Sequence, residues 1–167
     1  IRDAGNSNFI NLFTLAGGPA FPIDGTINSV NIGKGANSVA GNTVLGEAAL
    51  DGTVSGGNNT AIGKQALTAL TSGANNTAIG LEALKTITTA SSNTACGKDA
   101  LRANTTGTEN VAMGTYALDA NTTASYNTAV GYEALTANTT GALNTAVGNH
   151  CLKANTTASY VTGVGTN

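Results

Sequence analysis

Asn127-Thr-Ala-Val-Gly-Tyr-Glu-Ala-Leu-Thr-Ala-Asn-Thr-Thr-Gly-Ala-Leu143 is one of seven consecutive 17-residue units that run from Asn42 without an insertion or deletion. Counting Asn127 as position 1, position 5 of every unit is glycine: Gly46, Gly63, Gly80, Gly97, Gly114, Gly131 and Gly148, with Gly165 in a last partial unit. Position 1 is Asn42, Asn59, Asn76, Asn93, Asn110, Asn127 and Asn144, and Val161 breaks the row. Position 4 is apolar throughout: Leu45, Ile62, Ile79, Cys96, Met113, Val130, Val147 and Val164. Position 9 is Leu50, Leu67, Leu84, Leu101, Leu118, Leu135 and Leu152, each preceded by Ala except where Cys151 stands. An in-register repeat of this length decides the architecture before any local pattern does.

Stretches such as Leu81-Glu-Ala-Leu-Lys85 look helical, but Thr, Asn and Gly follow each of them and disfavour helix. Seventeen residues cannot hold two helices with their turns. They can hold one coil of a parallel β-solenoid, two or three short strands joined by tight corners, with Gly and Asn taking positive φ there. Stacking then places like residues about 4.8 Å apart, so Asn rows can hydrogen-bond along the stack and apolar rows can fill a core. The expectation is an all-β parallel β-solenoid over residues 42–167, of about seven to eight rungs and about 35–40 Å. Leu50 to Leu152 and Leu45 to Val164 are expected as its two buried rows.

The composition agrees with a wound, repetitive chain. Its 28 Ala, 27 Thr, 22 Gly and 21 Asn fill well over half of 167 residues and leave few large side chains to line a catalytic pocket. With 41% hydrophobic and 10% charged residues, it lacks the low-apolar, high-charge signature of disorder. One Leu, one Val/Ile-type residue and about three Ala per rung bury little area against the entropy of ordering a coil. Association of several chains, a homotrimer, is therefore expected. The alternation along the strand puts Ala61, Ala78, Ala95, Ala112, Ala129 and Ala146 on the face opposite position 4. With position 4 assigned to the core, this alanine row is the expected trimer interface.

Residues 1–27 hold all three Phe (Phe9, Phe13, Phe21) and both prolines (Pro19, Pro22), and read as an N-terminal cap or attachment segment. Residues 28–41 repeat on a shorter spacing, Asn28-Ser-Val-Asn-Ile-Gly33 and Asn37-Ser-Val-Ala-Gly41, and lead into the solenoid. The start at Ile1 reads as that of a processed or excised segment.

Charge and motifs exclude several functions. A net charge of −2 without a basic stripe argues against nucleic-acid binding, and no apolar run is long enough for a membrane span. Gly57-Asn-Asn-Thr-Ala-Ile-Gly63-Lys64 is one residue too long for a phosphate loop, and Gln65 stands where Ser or Thr is needed. His150 and Cys151 adjoin, but Cys96 lies three rungs away, so neither a metal site nor an intrachain disulfide is expected, and both thiols should be reduced. Glu82 and Asp99 share position 7 in successive rungs and could bind a cation, with Lys98 beside them. Asn104, Asn121, Asn138 and Asn155 head Asn-Thr-Thr acceptor sequences. The chain reads as a non-enzyme with no catalytic, cofactor-binding or metal residues. Its candidate receptor contacts are Tyr116, Tyr126, Tyr132 and Tyr160, aromatic rings beside Asn and Thr that suit a host-surface glycan.

The Asn-Thr-Ala-Val-Gly-x-x-Ala-Leu units resemble the head repeats of phage tail fibres and bacterial trimeric surface proteins. Asn28-Ser-Val-Asn-Ile-Gly33 is similar to the head repeat of YadA-type trimeric autotransporter adhesins. Over residues 28–167 the resemblance implies a trimer of left-handed parallel β-rolls in a virion tail fibre or on a cell surface. Partners would be two further copies, other fibre or virion proteins reached through the N-terminal segment, and a host glycan. The rivals are an ice-binding or other surface-coating solenoid, suggested by the paired threonines Thr105-Thr106, Thr122-Thr123, Thr139-Thr140 and Thr156-Thr157, and a glycan-acting enzyme.

Overall fold

A computed structural model describes residues 25–27 and 29–166. The phenylalanines and prolines of the expected cap lie outside the described residues. Ten strands form one sheet in chain order. They are β1 (Gly25–Ile27), β2 (Val30–Gly33), β3 (Thr43–Glu47), β4 (Thr60–Ile62), β5 (Thr77–Ile79), β6 (Thr94–Cys96), β7 (Val111–Met113), β8 (Thr128–Val130), β9 (Thr145–Val147) and β10 (Thr162–Val164). From β3 to β10 every pairing is parallel and offset by one 17-residue unit, as in Thr128↔Thr145 and Val130↔Val147. The expected all-β parallel solenoid with 17-residue coils is the fold.

The short-repeat segment departs from the stack. β2 pairs antiparallel with β1 and with β3, and the second copy of its motif forms a 3-10 turn at Ala36–Ser38. The parallel β-roll implied for residues 28–41 is thus corrected. This segment reverses direction and covers the edge of the first rung, where an exposed ladder would invite stray pairing.

Each coil also contains one three- to five-residue strand rather than two or three. The rest of the coil bends too often for extended backbone: φ is positive at position 7 (Glu133, 52°), position 9 (Leu135, 52°) and position 17 (Leu143, 60°). Rung-to-rung hydrogen bonds nevertheless continue around these bends, as in Leu118 N–H to Ala134 O at 3.0 Å and Glu133 N–H to Thr115 O at 3.0 Å. The backbone is paired nearly all round while only one side is a sheet. Position 5 must be glycine: Gly131 has φ +136°, and a Cβ there would come 2.4 Å from the Gly148 carbonyl oxygen of the next rung.

The core is narrow. Leu50, Leu67, Leu84, Leu101, Leu118 and Leu135 are fully buried and meet alanines from positions 3 and 8. The position-1 asparagines are buried with them. Asn76 illustrates the pattern: its Oδ1 accepts the Asn93 N–H at 3.0 Å, and its Nδ2 donates to Ala90 O at 3.0 Å. A buried amide without partners would cost about 1–3 kcal/mol, so these bonds fix position 1 inward in every rung.

That choice inverts the expected strand orientation. Positions 1 and 3 share a face, so Ala61, Ala78, Ala95, Ala112, Ala129 and Ala146 point inward and are 0% exposed in the single chain. They cannot form an interface between chains. Position 4 points outward: Leu45 and Met113 are each 47% exposed, and Ile79, Val147 and Val164 are exposed as well. The expected buried row from Leu45 to Val164 is an outer row. Position 3 is small, Ala in six rungs and the buried Val44 in the first, beside the position-9 leucines in the same core.

Candidate functional site: the outer face of the sheet

Within the repeat, the exposed large apolar side chains gather on and around one side of the solenoid. Leu45, Ile79, Met113, Val147 and Val164 stand on the strands at position 4. Leu81 and Tyr132 occupy position 6, the corner just after the strand, and Tyr126, Leu143 and Tyr160 occupy position 17, the corner just before it. Ile32 of β2 pairs with Leu45 and extends the row. Between the apolar residues runs a half-exposed position-2 row that includes Thr60, Thr77, Thr94 and Thr128. Exposed apolar side chains gathered on one face make it the candidate interaction surface.

The four candidate tyrosines divide between the two corners. After the strand, Tyr116 and Tyr132 meet edge to face with centroids 6.3 Å apart, and Tyr132 meets His150 at 5.3 Å. Lys98 lies 4.9 Å over the Tyr116 ring and donates to its hydroxyl at 2.7 Å. That bond holds the Lys98 ammonium above its ordinary range. Glu133 is bound by Lys153 and lies 3.4 Å from His150 Nε2. The Lys153 hydrogen bond, with one from Tyr132, lowers the Glu133 carboxyl, and the same Glu133 bond raises the Tyr132 phenol. Before the strand, Tyr126 and Tyr160 are 51% and 79% exposed, two rungs apart with Leu143 between them.

The ion pairs lie on the post-strand side, at positions 6, 7 and 10. Glu47–Lys64 and Glu82–Lys85 are each 3.0 Å apart, Asp99 meets Lys98 and Arg102, and Arg102 reaches Asp119 at 3.1 Å. Glu82 and Asp99 therefore face cations rather than a shared site. No group of three His, Cys, Asp or Glu able to hold a metal is found among the described residues. Both cysteines are free, Cys96 half-buried on the outer row and Cys151 inside. Among the described residues, no helix is long and apolar enough to cross a membrane.

The asparagines of three acceptor sequences are unavailable. Asn104, Asn121 and Asn138 are buried, with Nδ2 donated to Gly107, Ala124 and Gly141 carbonyls. In the threonine pairs, the Thr105, Thr122 and Thr139 hydroxyls donate to the next rung's carbonyls, while Thr106, Thr123, Thr140 and Thr157 are exposed.

Sequence reading missed the outer row, the Lys98 and His150 ends of the aromatic column, and the pre-strand acid Glu109. The signal for the first lay in the parity between Asn and Ala. Comparison with protein-family models, curated proteins and solved structures finds no match to this chain.

Proposed function

We propose that this chain is a structural segment of an extracellular or virion fibre, a rigid shaft or head built from three copies that pack their sheet faces together, with an adhesive surface left outside. The observation carrying this reading is the concentration of exposed apolar side chains on one face of the stack. A lone chain gains nothing from presenting that face to water, whereas burying one Met, Val or Ile side chain stabilises by about 1.5–3 kcal/mol. Chemistry plays no part in the proposal. The chain is a non-enzyme whose partners are its own copies, other fibre proteins and, through aromatic corners left free, a host glycan.

The test is mass in solution. The unmodified chain is expected as a trimer, and Met113→Glu with Val130→Glu should release folded monomers, because like charges would be buried together. Ala112→Glu with Ala129→Glu should instead unfold the chain. An unmodified chain that stays monomeric at high concentration defeats the reading. The rival, an ice-binding surface, draws on the exposed hydroxyl column of Thr106, Thr123, Thr140 and Thr157. Thermal hysteresis lost on replacing those threonines would favour it.

A further inference from the structure

Glu109 is the one charged residue of the repeat on the pre-strand side, the others lying at positions 6, 7 and 10. It is exposed at position 17, before β7, and takes part in none of the ion pairs found among the described residues, which lie on the far side of the strand. Its column continues upward as Tyr126, Leu143 and Tyr160. All four hold positive φ, between 56° and 62°, where the earlier rungs use Asn58 and Asn75. Ser92 holds it too, and positive φ recurs at positions 7 and 9 of every full rung, so this conformation belongs to the coil itself.

We propose that this corner docks against the Lys98–Tyr116–Tyr132 corner of a second copy of the chain standing parallel and in register, with Glu109 facing the Lys98–Tyr116 pair. The inference rests on the self-association proposed above and specifies its partner surface. Copies related by rotation about an axis along the stack, sheet faces inward, bring the pre-strand border of one against the post-strand border of the next. Such a contact is heterologous and closes into a ring. Rotation leaves heights unchanged, so residues flanking the same strand meet. Glu109 and Tyr116 flank β7, and Lys98 reaches up to the Tyr116 hydroxyl. Tyr126 and Tyr132 flank β8, and Leu143 and His150 flank β9. An acid without an ion pair thus meets a cation, Tyr126 meets Tyr132, and Leu143 packs on His150. An antiparallel face-to-face pair would set like borders together, and position 17 holds no cation in any rung for Glu109 to meet. Charge complementarity therefore selects the parallel arrangement.

The test uses light chains and isotope-labelled heavy chains, unfolded and refolded together, then treated with a carbodiimide that joins carboxylate to amine. The expected product is a Glu109–Lys98 amide joining light to heavy peptide. Glu109→Lys should weaken association by about tenfold or more, and Glu109→Gln by less. An oligomer without the mixed-isotope link, or one that Glu109→Lys associates into as tightly as the wild type, overturns this docking while leaving self-association standing. A monomer overturns both.

Discussion

Two neighbouring regions of the solenoid share a backbone and differ at one inward position. In the rungs beginning at Asn59 and Asn76, position 12 is Leu70 and Ile87; in the next three it is Asn104, Asn121 and Asn138, and all five are fully buried. The local turn is the same on both sides of the change: Leu70 N–H bonds Leu67 O at 3.2 Å, and Asn104 N–H bonds Leu101 O at 3.2 Å. The means of filling the corner differ. Leu70 and Ile87 need only volume. The asparagines bond the backbone of their own turns and also one another: Asn121 Nδ2 donates to Asn104 Oδ1 at 3.1 Å, and Asn138 Nδ2 to Asn121 Oδ1 at 3.2 Å. At the top of the column Asn138 Oδ1 has no partner among the described residues. An apolar corner adds volume alone, whereas a polar one adds directional bonds both within its rung, as between Gly107 N–H and Asn104 Oδ1 at 3.1 Å, and along the column. A polar network is therefore the more exacting solution to the same geometry.

The glycine column crosses both regions and offers the largest test. A Cβ on Gly80 would lie 2.5 Å from Gly97 O, and one on Gly131 2.4 Å from Gly148 O, each at φ near +137°. Gly80→Ala and Gly131→Ala should therefore cost alike, about 4 kcal/mol or more, and abolish the cooperative thermal transition. A mild effect in one region only would show that its rungs are less tightly stacked.

The leucine row is the next control. Leu84→Ala and Leu135→Ala should each cost about 2–5 kcal/mol and lower Tm by similar amounts, since both side chains are fully buried.

At the corner itself the regions should separate. Asn121→Ala takes a donor from Asn104 Oδ1 and an acceptor from Asn138 Nδ2, and should cost about 1–3 kcal/mol in denaturant unfolding. Replacing Asn104, Asn121 and Asn138 together with Leu removes the amide–amide bonds at once and leaves only the buried Gly107 N–H without its acceptor, so it should cost about 1–3 kcal/mol, no more than the single change. Should the triple variant lose the sum of three single losses, the column would not be acting as a unit.

The smallest expected effect is on pH dependence. The Glu133 carboxyl is lowered from 4.5, first by its Lys153 hydrogen bond. Its contribution is full above the unfolded value and fades as pH falls through the folded one. Melting scans from neutral pH to below 4.5 should show a slightly shallower acid decline in Glu133→Gln than in the wild type.

The sequence by itself determined the coil. A 17-residue spacing kept from Asn42 to Gly165 requires like residues to stack, and glycine at each position 5 permits the turn. The leucine row at position 9 was legible for the same reason, because a large apolar residue in every rung has one place to go. What the tertiary structure decided was which side of the three-residue strand faces inward. Position 3 carries Ala and position 4 carries Ile, Val or Met, so hydrophobicity ranks position 4 as core. The buried amide at position 1 outranks it, since its donors and acceptors satisfy backbone groups along the stack, and strand alternation then carries Ala in and Val out. The candidate site moved with that choice, from an alanine stripe to the outer sheet face. Pairings between adjacent rungs, such as Lys98 with Tyr116 and Glu133 with Lys153, also depend on side-chain reach across the stack. A one-dimensional period places those residues near one another without saying which will touch.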